Sequence, residues 1–213
     1  DGKFLFATHP GTISNETIED LLAGGEKEKA VVEKIQKAEA NKEAIQGHMQ
    51  AFMEASEAKD TDAMEAALTE LEKLDPEFRF LDRMRTDVAI AKKDWGLAAT
   101  ILEGIEDERT AMITAATIVQ ATDETPDEPS EALLKEMIKA LSGSAIDDAT
   151  VKAALARAQW KAGQKDEARA TVKAAAASPG RYPKAALEGF AASFETDTPH
   201  TLTQLFESLQ KAQ

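Results

Sequence analysis

The stretch AGQKDEARATVKAAAASP, residues 162–179, decides the fold. It reads as a turn at Gly163, a helix rich in small residues, and a stop at Pro179. The same shape occurs three times upstream, in DTDAMEAALTELEKLDP (60–76), KKDWGLAATILEGI (92–105) and PSEALLKEMIKALSG (129–143). Met64, Ala98, Ala132 and Ala168 take corresponding places near the helix starts, spaced 34, 34 and 36 residues apart. A repeat of about that length with two helices predicts stacked helical hairpins, each covering an apolar face that its neighbour leaves bare.

The composition agrees. Only 5% of the 213 residues are aromatic and alanine is abundant, which suits closely packed helices. The formal net charge of -14 repels phosphate backbones and anionic lipid, so nucleic-acid and membrane-surface binding are not expected. No run approaches the ~18 apolar residues of a membrane span. The chain lacks cysteine, which excludes a disulfide, a thiolate nucleophile and a zinc–thiolate site. It begins without Met, so it is expected to be a processed or partial chain, with localisation signals upstream in either a cytoplasmic or a periplasmic protein.

The fourth repeat resembles a tetratricopeptide repeat through Leu155, Ala156, Gly163, Ala168, Val172, Ala175 and Pro179. The first is similar at Ala51, Leu68, Leu71 and Asp75-Pro76, the second at Asp94-Trp95 and Ala98, the third only in length and at Ala132. Lys152 and Gln159 depart from the pattern, standing where apolar residues are usual. The resemblance covers about residues 44–180 and implies an all-α, right-handed stack of helical hairpins that binds protein or peptide. Residues 26–43 read as a linking helix. Residues 181–213 read as closing helices, PKAALEGFAASFE (183–195) and TPHTLTQLFESLQKA (198–212), the latter opened by Thr198-Pro199.

Upstream, Phe4-Leu5-Phe6-Ala7 reads as a strand apolar on both faces, between the turn Asp1-Gly2 and the break His9-Pro10-Gly11. A helix capped by Ser14 follows, with Ile18, Leu21 and Leu22 on its apolar face and Gly24-Gly25 as its stop. Residues 1–25 resemble the end of a thioredoxin-like domain of the thiol–disulfide oxidoreductase or peroxiredoxin-like group. That resemblance implies a redox-active parent chain whose cysteines lie before Asp1. A strand without its sheet needs a cover, so pairing of Phe4, Leu5 and Phe6 with a second copy, through residues 3–8, is expected.

Between them, Val31, Ile35, Ala38, Lys42, Ile45, Met49 and Phe52 alternate steps of four and three. This is one long amphipathic helix or two broken near Asn41, either packed on the following helices or forming a coiled-coil dimer seam.

The chemistry-bearing residues point away from catalysis. His9, His48 and His200 lack metal spacing. The acidic run ATDETPDEPSE (121–131) lacks the ligand order of a calcium loop and reads as a solvated connector. Glu106-Asp107-Glu108 reads as the charged end of a helix with the turn after it. There is no nucleophile elbow and no phosphate loop. No cofactor, metal or catalytic residue is therefore expected. If the hairpins stack, their first helices line a concave side carrying Arg83 and Asp87, and Arg157, Trp160 and Lys161. A cationic pair beside an indole suits a peptide carboxylate; the same residues also suit ordinary solvated faces. The expected function is a non-catalytic peptide-binding module, with a structural homodimerisation domain as the alternative.

Overall fold

A computed structural model describes residues 14–125, 128–143 and 146–212, and the described residues are all-α, with eleven helices and no strand. The strand expected at residues 3–8, with Phe4, Leu5 and Phe6, lies outside the described residues. The chain divides into two compact units, one ending at Leu81 and one beginning at Asp82.

The first unit holds α1 (Asn15–Ala23), α2 (Gly25–Ala58) and α3 (Thr61–Leu74). Ser14 caps α1 by accepting the Thr17 amide, and Gly24, at φ 70°, ends it where a side chain would be strained. α2 runs unbroken through Asn41 for 34 residues, so of the two readings the single long helix holds. It also passes residues 43 and 44 without a break, and no helix end marks the boundary expected there. α3 packs along the C-terminal part of α2, burying Phe52 and Ala55 against Met64, Ala67, Leu68 and Leu71.

The second unit holds α4 (Leu81–Ala91, entered at Asp82), α5 (Trp95–Gly104), α6 (Glu108–Asp123), α7 (Glu131–Ser142), α8 (Ala149–Lys161), α9 (Lys165–Ala177), α10 (Lys184–Ser193) and α11 (Leu202–Lys211). Its core is built from Ile118, Leu133, Met137, Leu187, Phe190 and Phe194. α8 buries five alanines, Ala149, Ala153, Ala154, Ala156 and Ala158, and such small residues let α9 approach it closely. α6 packs on α8 as well as on α7, and α5 packs on α7. α11 turns back to lie on α6 and α8, with Leu202, Leu205 and Leu209 buried.

One turn recurs between helices. Lys59, Lys93 and Gly163 each take the left-handed conformation, and each is followed by the cap of the next helix, Asp60, Asp94 or Gln164. The cap amide donates back to Ala55, Ala89 or Gln159 at 2.8–2.9 Å, closing the preceding helix in the same way each time. In α7 the cap is Ser130, after the buried Pro129, and none of the described residues of its connector is left-handed.

The caps also correct the sequence register. The fourth residue after each is Met64, Ala98, Leu134 and Ala168, all buried, with an amide bonded to the cap carbonyl. In the third hairpin the core position is therefore Leu134, since Ala132 is exposed. The two-proline connector pushes that helix on by two residues, which residue counting alone misses. Two other expectations shift for similar reasons. Asp107 caps the start of α6 by accepting the Thr110 amide at 2.7 Å, and its carboxyl is held below its usual pKa by its bonds to Thr110, so the acidic triplet opens a helix rather than ending one. α11 begins after Thr201, because Thr201 and Gln204 form a reciprocal capping box that Thr198-Pro199 cannot match.

Candidate peptide-binding groove

The last residue of α6, Asp123, is where the second unit's polar contacts converge. Its carboxylate is wholly out of solvent. Arg157 of α8 reaches it with Nη2 at 2.6 Å and Nε at 3.1 and 3.2 Å, a two-pronged pairing. Lys161, one helical turn on, adds Nζ at 3.2 Å and also donates to the Thr122 carbonyl at 3.0 Å. The first amide of α11, at Leu202, donates to Asp123 Oδ2 at 3.0 Å, so the carboxylate sits against the positive end of that helix. Arg157 Nη1 donates to the Pro199 carbonyl at 3.2 Å, fixing the loop ahead of α11.

These bonds define what Arg157 and Lys161 do. The carboxylate that the pair was expected to recognise is present, and it belongs to the same chain. Arg157 is 7% exposed and has its donors engaged inside the protein. Asp123, read as part of a solvated connector, instead has its side chain buried. Nothing in its local composition distinguishes it from the acidic residues that follow. Its one signal is a position thirty-four residues before Arg157, the length of the repeat. Asp148 and Tyr182 share that separation, and the Tyr182 hydroxyl donates to Asp148 Oδ2 at 3.3 Å.

Trp160 takes a different position. Its ring meets Phe194 edge to face at 5.5 Å, and Phe194 meets Phe190 in the same way at 5.2 Å. Lys165 Nζ lies 4.9 Å and Arg169 Cζ 5.4 Å from the indole centroid, so the ring carries two cations. The ring is only half-buried, and it borders an open groove of about 790 Å³ between α7 and the end of α8. Ile138 and Pro129 supply apolar wall, Glu128 and Glu131 flank one side, and Lys135 and Lys161 supply positive charge. Lys135 is exposed and makes no ion pair or hydrogen bond among the described residues.

The structure thus brings Arg157, Trp160 and Lys161 together on α8 and leaves Arg83 and Asp87 on α4. No hydrogen bond or ion pair joins those two to the α8 group among the described residues. Arg83 is exposed; Asp87, one turn later, is half-buried, and burial raises its carboxyl above the usual range against the opposing pull of Arg83. Among the described residues no group of three or more His, Asp or Glu is placed to hold a metal ion. No described helix is long and apolar enough to cross a membrane. Comparison with protein-family models, with curated proteins and with solved structures finds no match to this chain.

Proposed function

We propose that the chain is a non-catalytic protein-binding module of stacked helical hairpins, similar to the tetratricopeptide type, and that it takes a peptide in the groove between α7 and α8. The observation that carries this reading is Trp160. A half-exposed indole is backed by Phe194 and held by Lys165 and Arg169, on the rim of a groove with an unengaged lysine. Such a ring presents apolar area already ordered, so a ligand that covers it gains burial at little conformational cost. Lys135 suits a ligand carboxylate beside an apolar side chain, and Glu128 and Glu131, at the start of the same helix, suit a neighbouring cation. The recurring left-handed turn and the two contacts spanning thirty-four residues support the repeat reading. The thioredoxin-like resemblance of residues 1–25 adds that the parent chain is a thiol–disulfide redox protein which this module supplies with a binding surface.

The test is a peptide-display selection on the whole chain, repeated with Trp160→Ala and Lys135→Glu. The expected result is a set of peptides sharing an acidic and an apolar position. Each substitution is expected to weaken their binding by about tenfold or more, as loss of a buried anchor or of a charge partner does. Selected peptides that bind both variants as tightly as the parent would refute the groove.

A further inference from the structure

The peptide groove and the last helix depend on the same piece of chain. Thr122 and Asp123, at the end of α6, accept the ammonium of Lys161, whose side chain lines the groove. Thr125, two residues on, lines the groove as well. This stretch also anchors α11. Asp123 Oδ2 accepts the Leu202 amide at 3.0 Å, and Glu124 Oε1 accepts the Thr203 hydroxyl at 2.9 Å. Gln120, one turn earlier on α6, donates to that hydroxyl at 3.4 Å. No described residue of α11 lines the groove itself. Residues 122–125 therefore serve both: they place part of the groove wall and they hold α11.

α11 is an element with a docked and a released state. Its 10 residues are too few for a helix to persist alone in water. Docked, it buries Leu202, Leu205 and Leu209 and lies on α6 and α8. Its hydrogen bonds to α6 all come from its first two residues. Further along, the Ser208 hydroxyl and the Lys211 ammonium bond within the helix. An element held this way opens locally at lower cost than the core beneath it. Opening takes the Leu202 amide from Asp123 and admits water to a carboxylate that is otherwise wholly buried. That carboxylate is one of the two groups that fix Lys161. A docked α11 thus keeps Lys161 and the end of α6 in one arrangement, and a released α11 leaves them several. A groove whose wall is already ordered binds more tightly, because the ligand does not have to order it.

We infer that α11 regulates the groove: docked on the end of α6 it holds Lys161 and Thr125 in the binding arrangement, and a bound peptide in turn holds α11 down. The inference rests on the peptide-binding reading of the groove and adds a second element that controls it. The coupling is reciprocal, since peptide binding favours α11 docking by the same factor that docking favours the peptide.

Hydrogen exchange on the whole chain tests it, with a peptide taken from the selection as the probe. In the free chain the α11 amides from Phe206 to Gln210 are expected to exchange faster than those of α9, so that their opening is local. Saturating peptide is expected to slow them by about fivefold or more, although no residue of α11 lines the groove. Lys161→Met is expected to remove most of that slowing while the peptide still binds at Trp160. Leu205→Asp, which releases α11, is expected to weaken the peptide by the same factor that the exchange measures. The exchange on the parent chain decides the matter even where that variant fails to fold. A peptide that binds the parent and leaves α11 exchange unchanged or faster would overturn the coupling and leave the groove standing. So would α11 amides that exchange no faster than those of α9, or slowing that persists in full in Lys161→Met. If no selected peptide binds the parent, the groove reading fails and this inference with it.

Discussion

Asp123 and Arg157 are thirty-four residues apart and meet through three hydrogen bonds of 2.6 to 3.2 Å, with both side chains almost wholly out of solvent. They tie the end of α6 to the middle of α8. Through the Leu202 amide and the Pro199 carbonyl they also fix the start of α11. A buried ion pair is a weak source of net stability, but breaking one leaves a charge unpaired in a poor solvent.

Removing one partner of this pair therefore costs more than removing both. Arg157→Ala is expected to destabilise the second unit by about 3 kcal/mol, with Lys161 offsetting part of the loss. Asp123→Ala with Arg157→Ala is expected to cost clearly less than the two single changes added together. Urea denaturation of the three variants measures this, and additive losses would show that the pair is not coupled.

The recurring turn makes a prediction with opposite signs. Lys59 and Lys93 hold left-handed backbone with a side chain attached, at φ 58° and 56°. Lys59→Gly and Lys93→Gly are each expected to stabilise by roughly 0.5–1 kcal/mol, whereas Gly163→Ala, at φ 77°, is expected to destabilise by about 1 kcal/mol. Thermal melts of the three variants read these directions directly. A loss of stability in either glycine variant would show that the lysine side chain contributes more than its backbone costs.

Gly47 supplies a control inside α2. Its added methyl group meets no atom within 4 Å, and its backbone is ordinary helix. Gly47→Ala is expected to raise stability by up to about 1 kcal/mol. Position 47 is exposed, so the helical circular dichroism is expected to be unchanged while the melt shifts upward.

These predictions show where the sequence was readable. The cap Ser14, the stop at Gly24 and the turn at Gly163 were legible, because capping and turn chemistry is local and depends on a few residue types; the same logic would have found the caps Asp60 and Asp94. The break considered near Asn41 does not occur. A polar residue on the exposed side of a helix lowers its apolar contrast without removing a hydrogen bond. The third hairpin's register was misread because the prolines of its connector are written in the same alphabet as any loop. Trp160 was legible as an aromatic near a helix end. Its neighbours Arg157 and Lys161 were legible as cations, but their partner was not. Asp123 lies in an acidic run whose residues differ in burial and not in type, and only packing over a long separation selects one of them.

Asp87 gives a pH-dependent prediction. Burial raises its carboxyl from the ordinary 3.8, and Arg83 opposes the rise. A raised folded-state value means that the folded protein holds the proton more tightly than the unfolded chain. The resulting contribution to stability is complete below pH 3.8 and is lost as the pH rises through the raised value. At pH 7 the ionised, partly desolvated carboxylate is therefore a burden on the fold. Asp87→Asn is expected to melt higher than the parent at pH 7, with the advantage shrinking as the pH falls toward 4. An advantage that is absent at pH 7, or that grows on acidification, would mean Arg83 outweighs burial.

The binding surface itself is tested most directly by nuclear magnetic resonance of the whole chain with a selected peptide added. Amide and side-chain shifts concentrated at Lys135, Ile138 and the Trp160 indole, with little change at Arg157 or along α4, are the expected outcome. Shifts confined to another face, with the Trp160 indole unmoved at saturation, would contradict the assignment of the groove between α7 and α8 as the site where this protein holds its partner.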